Sequence, residues 1–241
     1  MDQKAAFAEE TEKKTEERNR YLFALIFVGG FFGAFTFCLR GGVFCNAQTG
    51  NLLLASVYLA MGNISAFFSY FISLVAFFVG VMVATFLSAA LKTKTLLWHT
   101  VLLALEMLAV LALGFIPDSA SFRITQIAVN VITAMQFTTF RQVNGEAMAS
   151  TFCTNHLRQT AEALTLWLSP PHPKKQRFVF LQHLAMVLLF ALGAACSYLL
   201  GRLFGGHSIW FSLVPLGYVF SSLLIQRKKA KKQAAKQSKI Q

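Results

Sequence analysis

Taken as a pattern of apolar and polar positions, the chain has a charged start, six long apolar runs, two interrupted segments and a basic end. The apolar runs fall at residues 21–39, 64–91, 95–115, 123–140, 174–200 and 207–225. Each is near the roughly twenty residues that carry a helix across the hydrocarbon of a bilayer. The first interrupted segment, residues 40–61, opens with Arg40-Gly-Gly-Val-Phe-Cys-Asn-Ala-Gln-Thr-Gly-Asn51 and continues as a short apolar helix. The second runs from Arg141 to about Leu168 and is closed by Ser169-Pro-Pro-His-Pro173. In lipid every backbone N–H and C=O needs an internal partner, so irregular backbone at that depth must be buried in protein or line a cavity.

The two interrupted segments share a design. Gly41 aligns with Gly145 and Thr49-Gly-Asn-Leu52 with Thr154-Asn-His-Leu157, at offsets of 104 and 105 residues (145 − 41 and 154 − 49). The spacing predicts a tandem repeat of one membrane unit with a single broken segment in each copy. Gly80, Ala84 and Ser88 in the second run, and Gly193, Ser197 and Gly201 in the fifth, form small-residue faces suited to close helix packing.

Composition agrees with a membrane protein. The chain has 241 residues, 56% hydrophobic and 13% charged, against about a quarter charged in soluble domains. Phe is abundant, at 25 residues, which suits a lipid-facing surface. Residues 1–20 alternate Lys/Arg with Glu, predict a short solvated helix, and lack the apolar core of a cleavable signal. The formal charge of +12 is concentrated in short loops and in the tail from Arg227. That is the bias of cytoplasmic loops, so nucleic acid is not an expected partner and anionic lipid is.

Charge also sets the topology. Lys92 and Lys94, then Lys174, Lys175 and Arg177, and the tail all belong on the cytoplasmic side. Six crossings satisfy this with both termini inside, and leave the Gly62-Asn63 turn and the acidic loop at Asp118 outside. Three crossings per half is an odd number, so the halves are inverted and the broken segments enter from opposite faces. The expected fold is an all-α integral membrane protein: six transmembrane helices in two inverted three-helix repeats, each with a re-entrant half-helix. The divisions are residues 1–20, a first repeat 21–115, a connector 116–122, a second repeat 123–226 and a tail 227–241.

Inverted repeats with broken helices are a recurrent transporter design, with the site at mid-membrane between the repeats. Each broken segment is expected to run inward as extended chain, over residues 42–48 and 147–153, and to start a helix near Thr49 and Thr154. Helix starts carry unpaired N–H groups and partial positive charge, which suit an anion. The candidate site is therefore Asn46, Gln48, Thr49, Gly50 and Asn51 with Thr151, Thr154, Asn155 and His156. The bland alternative is that these groups satisfy one another and hold a structural crossover.

Glu106 lies near the centre of the third apolar run, with His99 seven residues earlier on the same helical face. An intramembrane carboxylate is costly and tends to be functional, so both are candidates for proton coupling. A structural hydrogen bond from Glu106 to His183 or Gln182 is the competing role. Gln126, Asn130 and Gln136 either line a pathway or bond between helices, and Arg40 and Arg141 either attract anions or cap helix ends. Arg158 and Glu162 predict an i,i+4 ion pair. Cys38, Cys45, Cys153 and Cys196 have no metal-ligand spacing and read as small buried residues. No Ser/His/Asp, HExxH or phosphate-loop pattern occurs, so neither an enzyme nor a cofactor is expected.

The strings Gly29-Gly-Phe-Phe-Gly-Ala-Phe-Thr-Phe-Cys-Leu-Arg-Gly-Gly-Val-Phe-Cys-Asn-Ala-Gln-Thr-Gly-Asn51, Met135-Gln-Phe-Thr-Thr-Phe-Arg-Gln-Val-Asn-Gly145 and Thr151-Phe-Cys-Thr-Asn155 resemble the YoaK family of bacterial inner-membrane proteins. The resemblance covers residues 21–225 and implies a multi-pass protein of the bacterial inner membrane. That family is a domain of unknown function, so it implies no solute. Many of its members carry an acidic residue where this chain has Gly33, and Thr154-Asn155-His156 departs from the Thr-Gly pattern expected in the second half.

These readings converge on a small secondary transporter or channel for an anionic or polar solute, with a homodimer through the small-residue faces as a possible assembly. The alternative is a non-transporting scaffold or regulatory subunit whose broken segments are structural and whose basic tail recruits partners.

Overall fold

The computed structural model describes residues 2–90, 95–140, 142–143, 146–147, 153–171 and 173–237. It is almost entirely helical. The order is α1 (Asp2–Leu39), α2 (Gln48–Ala60), α3 (Ile64–Ala90), α4 (Thr95–Leu113), α5 (Phe122–Thr139), α6 (Thr154–Leu168), α7 (Lys174–Phe204) and α8 (Leu213–Gln237). Between α5 and α6 a two-residue strand β1 (Gln142–Val143) pairs antiparallel with β2 (Glu146–Ala147). A 3-10 helix, Gly205–Ser212, joins α7 to α8.

Among the described residues, four helical stretches are long and apolar enough to cross a membrane: Tyr21–Leu39, Ile64–Ala90, Leu96–Leu113 and Lys174–Ala230. The last spans 57 residues and takes in α7, the 3-10 helix and α8. That is more than one crossing needs at about twenty residues each. Helix α5 is of span length, but Gln126, Asn130 and Gln136 lower its apolarity, and all three are buried. The protein is thus a multi-pass membrane protein by its helices.

Its surface and interior are arranged accordingly. Phe86, Leu203, Val214 and Met61 are each more than 70% exposed, while Asn51, Glu106, Asn130, Gln136 and Ser197 are fully buried. An apolar exterior of this extent is a lipid-facing surface. Polar groups retreat inside, where other helices can supply partners.

Packing runs in matched pairs. Helix α1 lies along α7 and α3 along α5; α2 packs on α3 and α6 on α7; α4 meets α8. Small residues set the two main crossings. A Cβ at Gly30 would overlap the Phe190 carbonyl, and one at Gly193 the Phe27 carbonyl, so α1 and α7 touch backbone to backbone. At the α3–α5 crossing a Cβ at Gly80 would sit 2.6 Å from the Val131 carbonyl and 2.8 Å from Ala134. Close approach of this kind is what drives helix association in lipid, where the hydrophobic effect gives little.

Some boundaries differ from expectation. Helix α1 runs unbroken from Asp2 into the first apolar run, so the charged start is not a separate helix. Residues 40–42, 45 and 46 are turns and bends, and residues 43, 44 and 47 have no regular structure. Gly41 and Gly42 have φ of 86° and 75°, and the Gly42 N–H donates to the Phe37 carbonyl at 3.1 Å. This is the left-handed glycine stop that satisfies the last carbonyls of a helix. The sixth apolar run opens as 3-10 helix, and Pro215, which lacks an N–H, sits in the first turn of α8, where none is needed. Lys92, Lys94, Arg141, Gly145 and Thr151 lie outside the described residues, as do residues 148–152 of the stretch expected to be extended.

Where α1 ends, three segments are tied together. Arg40, 2% exposed, donates from Nη1 to Asp118 Oδ1 at 2.8 Å, and the Gly206 N–H donates to the same carboxylate at 3.0 Å. The Gln126 side-chain amide donates to the Arg40 carbonyl. The guanidinium also lies over the Phe35 ring. Arg40 thus joins the end of α1, the α4–α5 connector and the α7 corner.

Candidate functional site

The first broken segment is an irregular loop held by side chains that replace missing backbone partners. Asn51, in the first turn of α2, clasps Phe44: its Oδ1 accepts the Phe44 N–H at 3.2 Å and its Nδ2 donates to the Phe44 carbonyl at 2.6 Å. Nδ2 also donates to Gln48 Oε1 at 3.0 Å and to Ser73 Oγ at 3.4 Å. Gln48 Nε2 donates to the Cys45 carbonyl at 2.9 Å and to Asn130 Oδ1 at 3.0 Å. Ser73 Oγ donates to the same Asn130 oxygen at 2.8 Å. Asn46 donates to the Gly29 carbonyl at 2.8 Å, and Thr36 Oγ1 accepts the Cys45 N–H at 3.2 Å. Irregular backbone is tolerated in a bilayer on this condition of internal satisfaction.

Helix α2 starts at Gln48 and α6 at Thr154, both without a side-chain N-cap bond. Thr49 is exposed and Gly50 half-buried, so neither faces the polar centre as Asn46 and Asn51 do. In the second segment Thr154 is exposed, and Asn155 Oδ1 accepts from Arg158 Nη2 at 3.1 Å. Arg158 also pairs with Glu162 at 2.5 Å, as the i,i+4 spacing predicts. His156 is 1% exposed, and its Nδ1 lies 2.8 Å from His183 Nδ1 on α7, itself 3% exposed.

The two helix starts meet their neighbouring helices at matching positions along the chain. Asn51 meets Ser73, nine residues into α3, and His156 meets His183, nine residues into α7 (73 − 64 and 183 − 174). At 1.5 Å per residue that is about 14 Å from the start of each helix. The bonds of the first segment run to α1, α3 and α5, and the His156 contact runs to α7. Among the described candidates, Asn46, Gln48 and Asn51 belong to one cluster and His156 to another, and no described cavity joins them.

Residues that the pattern analysis did not place also contribute. Ser73 is the acceptor at the first start; its signal was its place on the same buried face as Ala76, Gly80 and Ala84. His183 binds His156 and is not the partner of Glu106. Gln126, Asn130 and Gln136 all make interhelical bonds, the last to the Leu25 carbonyl at 3.3 Å. Gly33 faces Asn46: a Cβ there would lie 2.8 Å from the amide nitrogen. An acidic side chain at that position would therefore meet the first broken segment directly.

Glu106, halfway along α4, is fully buried, and neither carboxylate oxygen has a hydrogen-bond partner among the described residues. Thr133 Oγ1 and Gln136 Oε1 on α5, and Ser208 Oγ on the 3-10 helix, are likewise buried without partners. His99 packs against the Phe140 ring at 4.9 Å between centroids, a turn and a half or more away from Glu106 along α4. Among the described residues the cysteines are free, and no group of three His, Cys, Asp or Glu could hold a metal.

The family described as "Protein of unknown function (DUF1275)" matches the chain over residues 21–222. The chain belongs to this family. The match begins where the apolar part begins and stops short of the basic end, so the family is defined by the membrane unit just described. No curated protein and no solved structure matches the chain.

Proposed function

We propose that the protein is a small secondary transporter or channel for an anionic or polar solute, bound near mid-membrane at the starts of α2 and α6. The observation that carries this is the matched position of the two starts, each meeting a polar side chain nine residues into the next helix. In this reading α1 to α4 and α5 to α8 are inverted copies, with six crossings and two re-entrant half-helices. The pairing of α1 with α7, mirrored by α3 with α5, and of α2 with α3, mirrored by α6 with α7, is what such a two-fold relation requires. The lysine and arginine bias places both termini in the cytoplasm of a bacterial inner membrane.

Glu106 serves as the coupling group. A buried carboxylate without a partner is unstable as a bare charge, so it holds a proton or a counter-charge. The test is uptake of small anions by vesicles carrying the purified protein, with and without a pH gradient. We expect saturable uptake driven by the gradient, and loss of that drive with uptake retained in Glu106→Gln. No uptake across a broad panel, with folded protein in the vesicles, would return the protein to a non-transporting scaffold. One observation favours that second reading: Asn46, Gln48 and Asn51 spend their hydrogen-bonding capacity on the loop itself.

A further inference from the structure

The corner where α1 ends holds more donors than its own contacts use. Arg40 is 2% exposed, and its Nη1 has a partner, but Nε and Nη2 are buried without one among the described residues. Unpaired buried N–H groups on a cation carry a penalty, and a fixed salt bridge gives no account of it.

What Nη1 meets is a carboxylate that is not buried. Asp118 belongs to the connector between α4 and α5, and its side chain is 63% exposed. Its Oδ1 accepts from Arg40 Nη1 at 2.8 Å and from the Gly206 N–H at 3.0 Å, and Oδ2 lies 3.3 Å from the same nitrogen. Two glycines clear the space for it. A Cβ at Gly206 would lie 2.6 Å from Oδ1 and would run into Nη2, and one at Gly205 would run into Oδ2. Gly205 also has φ of 54°, a conformation that glycine adopts without strain. A buried guanidinium, a backbone N–H and two positions free of side chains make a cradle shaped for a carboxylate, and the chain's own carboxylate reaches into it from an exposed connector.

We infer that this cradle of Arg40, Gly205 and Gly206 is a binding site for a small carboxylate, and that Asp118 occupies it as a tethered stand-in that the ligand displaces. The tether leaves Asp118 with one bond from the guanidinium. A free carboxylate has no such restraint, and a planar guanidinium offers paired N–H groups to both of its oxygens. Charge supports the exchange. Asp118 is the only acidic residue between Glu106 and Glu146, so its departure leaves the Arg40 charge to an incoming anion. Arg123, second in α5, and Arg202, in the last turn of α7, are exposed cations on the flanking elements, and they favour the approach of an anion.

Binding rests on this geometry alone; a carboxylate as the solute carried rests on the transport proposed above. The test is thermal unfolding of the full-length protein in mixed micelles with sodium acetate, phosphate or chloride at equal ionic strength. In Asp118→Ala, acetate at about ten times its half-saturating concentration should raise Tm by about 3–6 °C over chloride. The wild-type protein should need about tenfold more acetate, because the tethered carboxylate competes. Arg40→Gln or Gly206→Ala, each added to Asp118→Ala, should abolish the rise. Asp118→Asn, which keeps an oxygen for the Gly206 N–H, serves if Asp118→Ala does not fold. Equal Tm in acetate and chloride, a rise that survives both added changes, or equal acetate sensitivity with and without Asp118 overturns the inference. A response to phosphate alone overturns the carboxylate assignment. Acetate binding in a protein that carries no solute across vesicles would defeat transport and leave the site standing.

Discussion

The two broken segments solve one problem with different means, and the contrast separates structure from chemistry. In the first, Asn51, Gln48, Asn130 and Ser73 close a network in which the side chains complete the backbone of residues 44–45. None of these four side chains titrates near neutral pH, so the first segment is held in the same way across the physiological range. In the second, the contact at the matching position is a pair of imidazoles, whose hydrogen bond depends on how many protons they hold.

The sharpest way to break this comparison is Asn51→Leu. It removes the clasp on Phe44 and the bonds to Gln48 and Ser73, and leaves loop amides unpaired. We expect a loss of about 2–4 kcal/mol, because each orphaned buried group costs about 1–3 and bonds within membranes average less. Unfolding in mixed micelles would measure it, and a loss below about 1 kcal/mol would show that the loop is held by other means.

Next come the crossings that carry the two segments. Gly80→Leu and Gly193→Leu each force a side chain into a facing backbone, and each should cost about 1–3 kcal/mol or prevent folding. A large effect at one with none at the other would argue against matched halves. The pair His156→Asn with His183→Ser should then cost only about 1–2 kcal/mol, since the contact is replaced but some volume is lost. A cost equal to that of Asn51→Leu would make the imidazoles structural after all. The smallest effect belongs to Arg158→Ala: the pair with Glu162 is more than half exposed on both sides, so about 0.3–0.5 kcal/mol is expected.

Much of the fold was legible because the bilayer imposes simple lengths. The starts of α3, α4 and α7 fall where the apolar runs begin, and those of α2 and α6 within a residue of Thr49 and Thr154. The Arg158–Glu162 pair follows from spacing on a helix and is present. Other features depend on contacts far apart in sequence. Arg40 with Asp118, Gln48 with Asn130 and His156 with His183 are 78, 82 and 27 residues apart, and no local pattern joins them. Gln126, Asn130 and Gln136 were ambiguous between pathway and packing because polarity alone does not say what a side chain touches.

By itself the sequence determined a membrane protein of repeated long apolar helices with two interruptions, since hydrophobic length and glycine-polar strings are local properties. Tertiary structure alone decided that the first interruption is a closed knot of side-chain amides and that two histidines meet at the second. It also decided that Glu106 stands buried with no hydrogen-bond partner among the described residues. The physical reason is that backbone hydrogen bonds satisfy themselves within a helix, whereas a side chain's partner is chosen by whichever helix packs beside it.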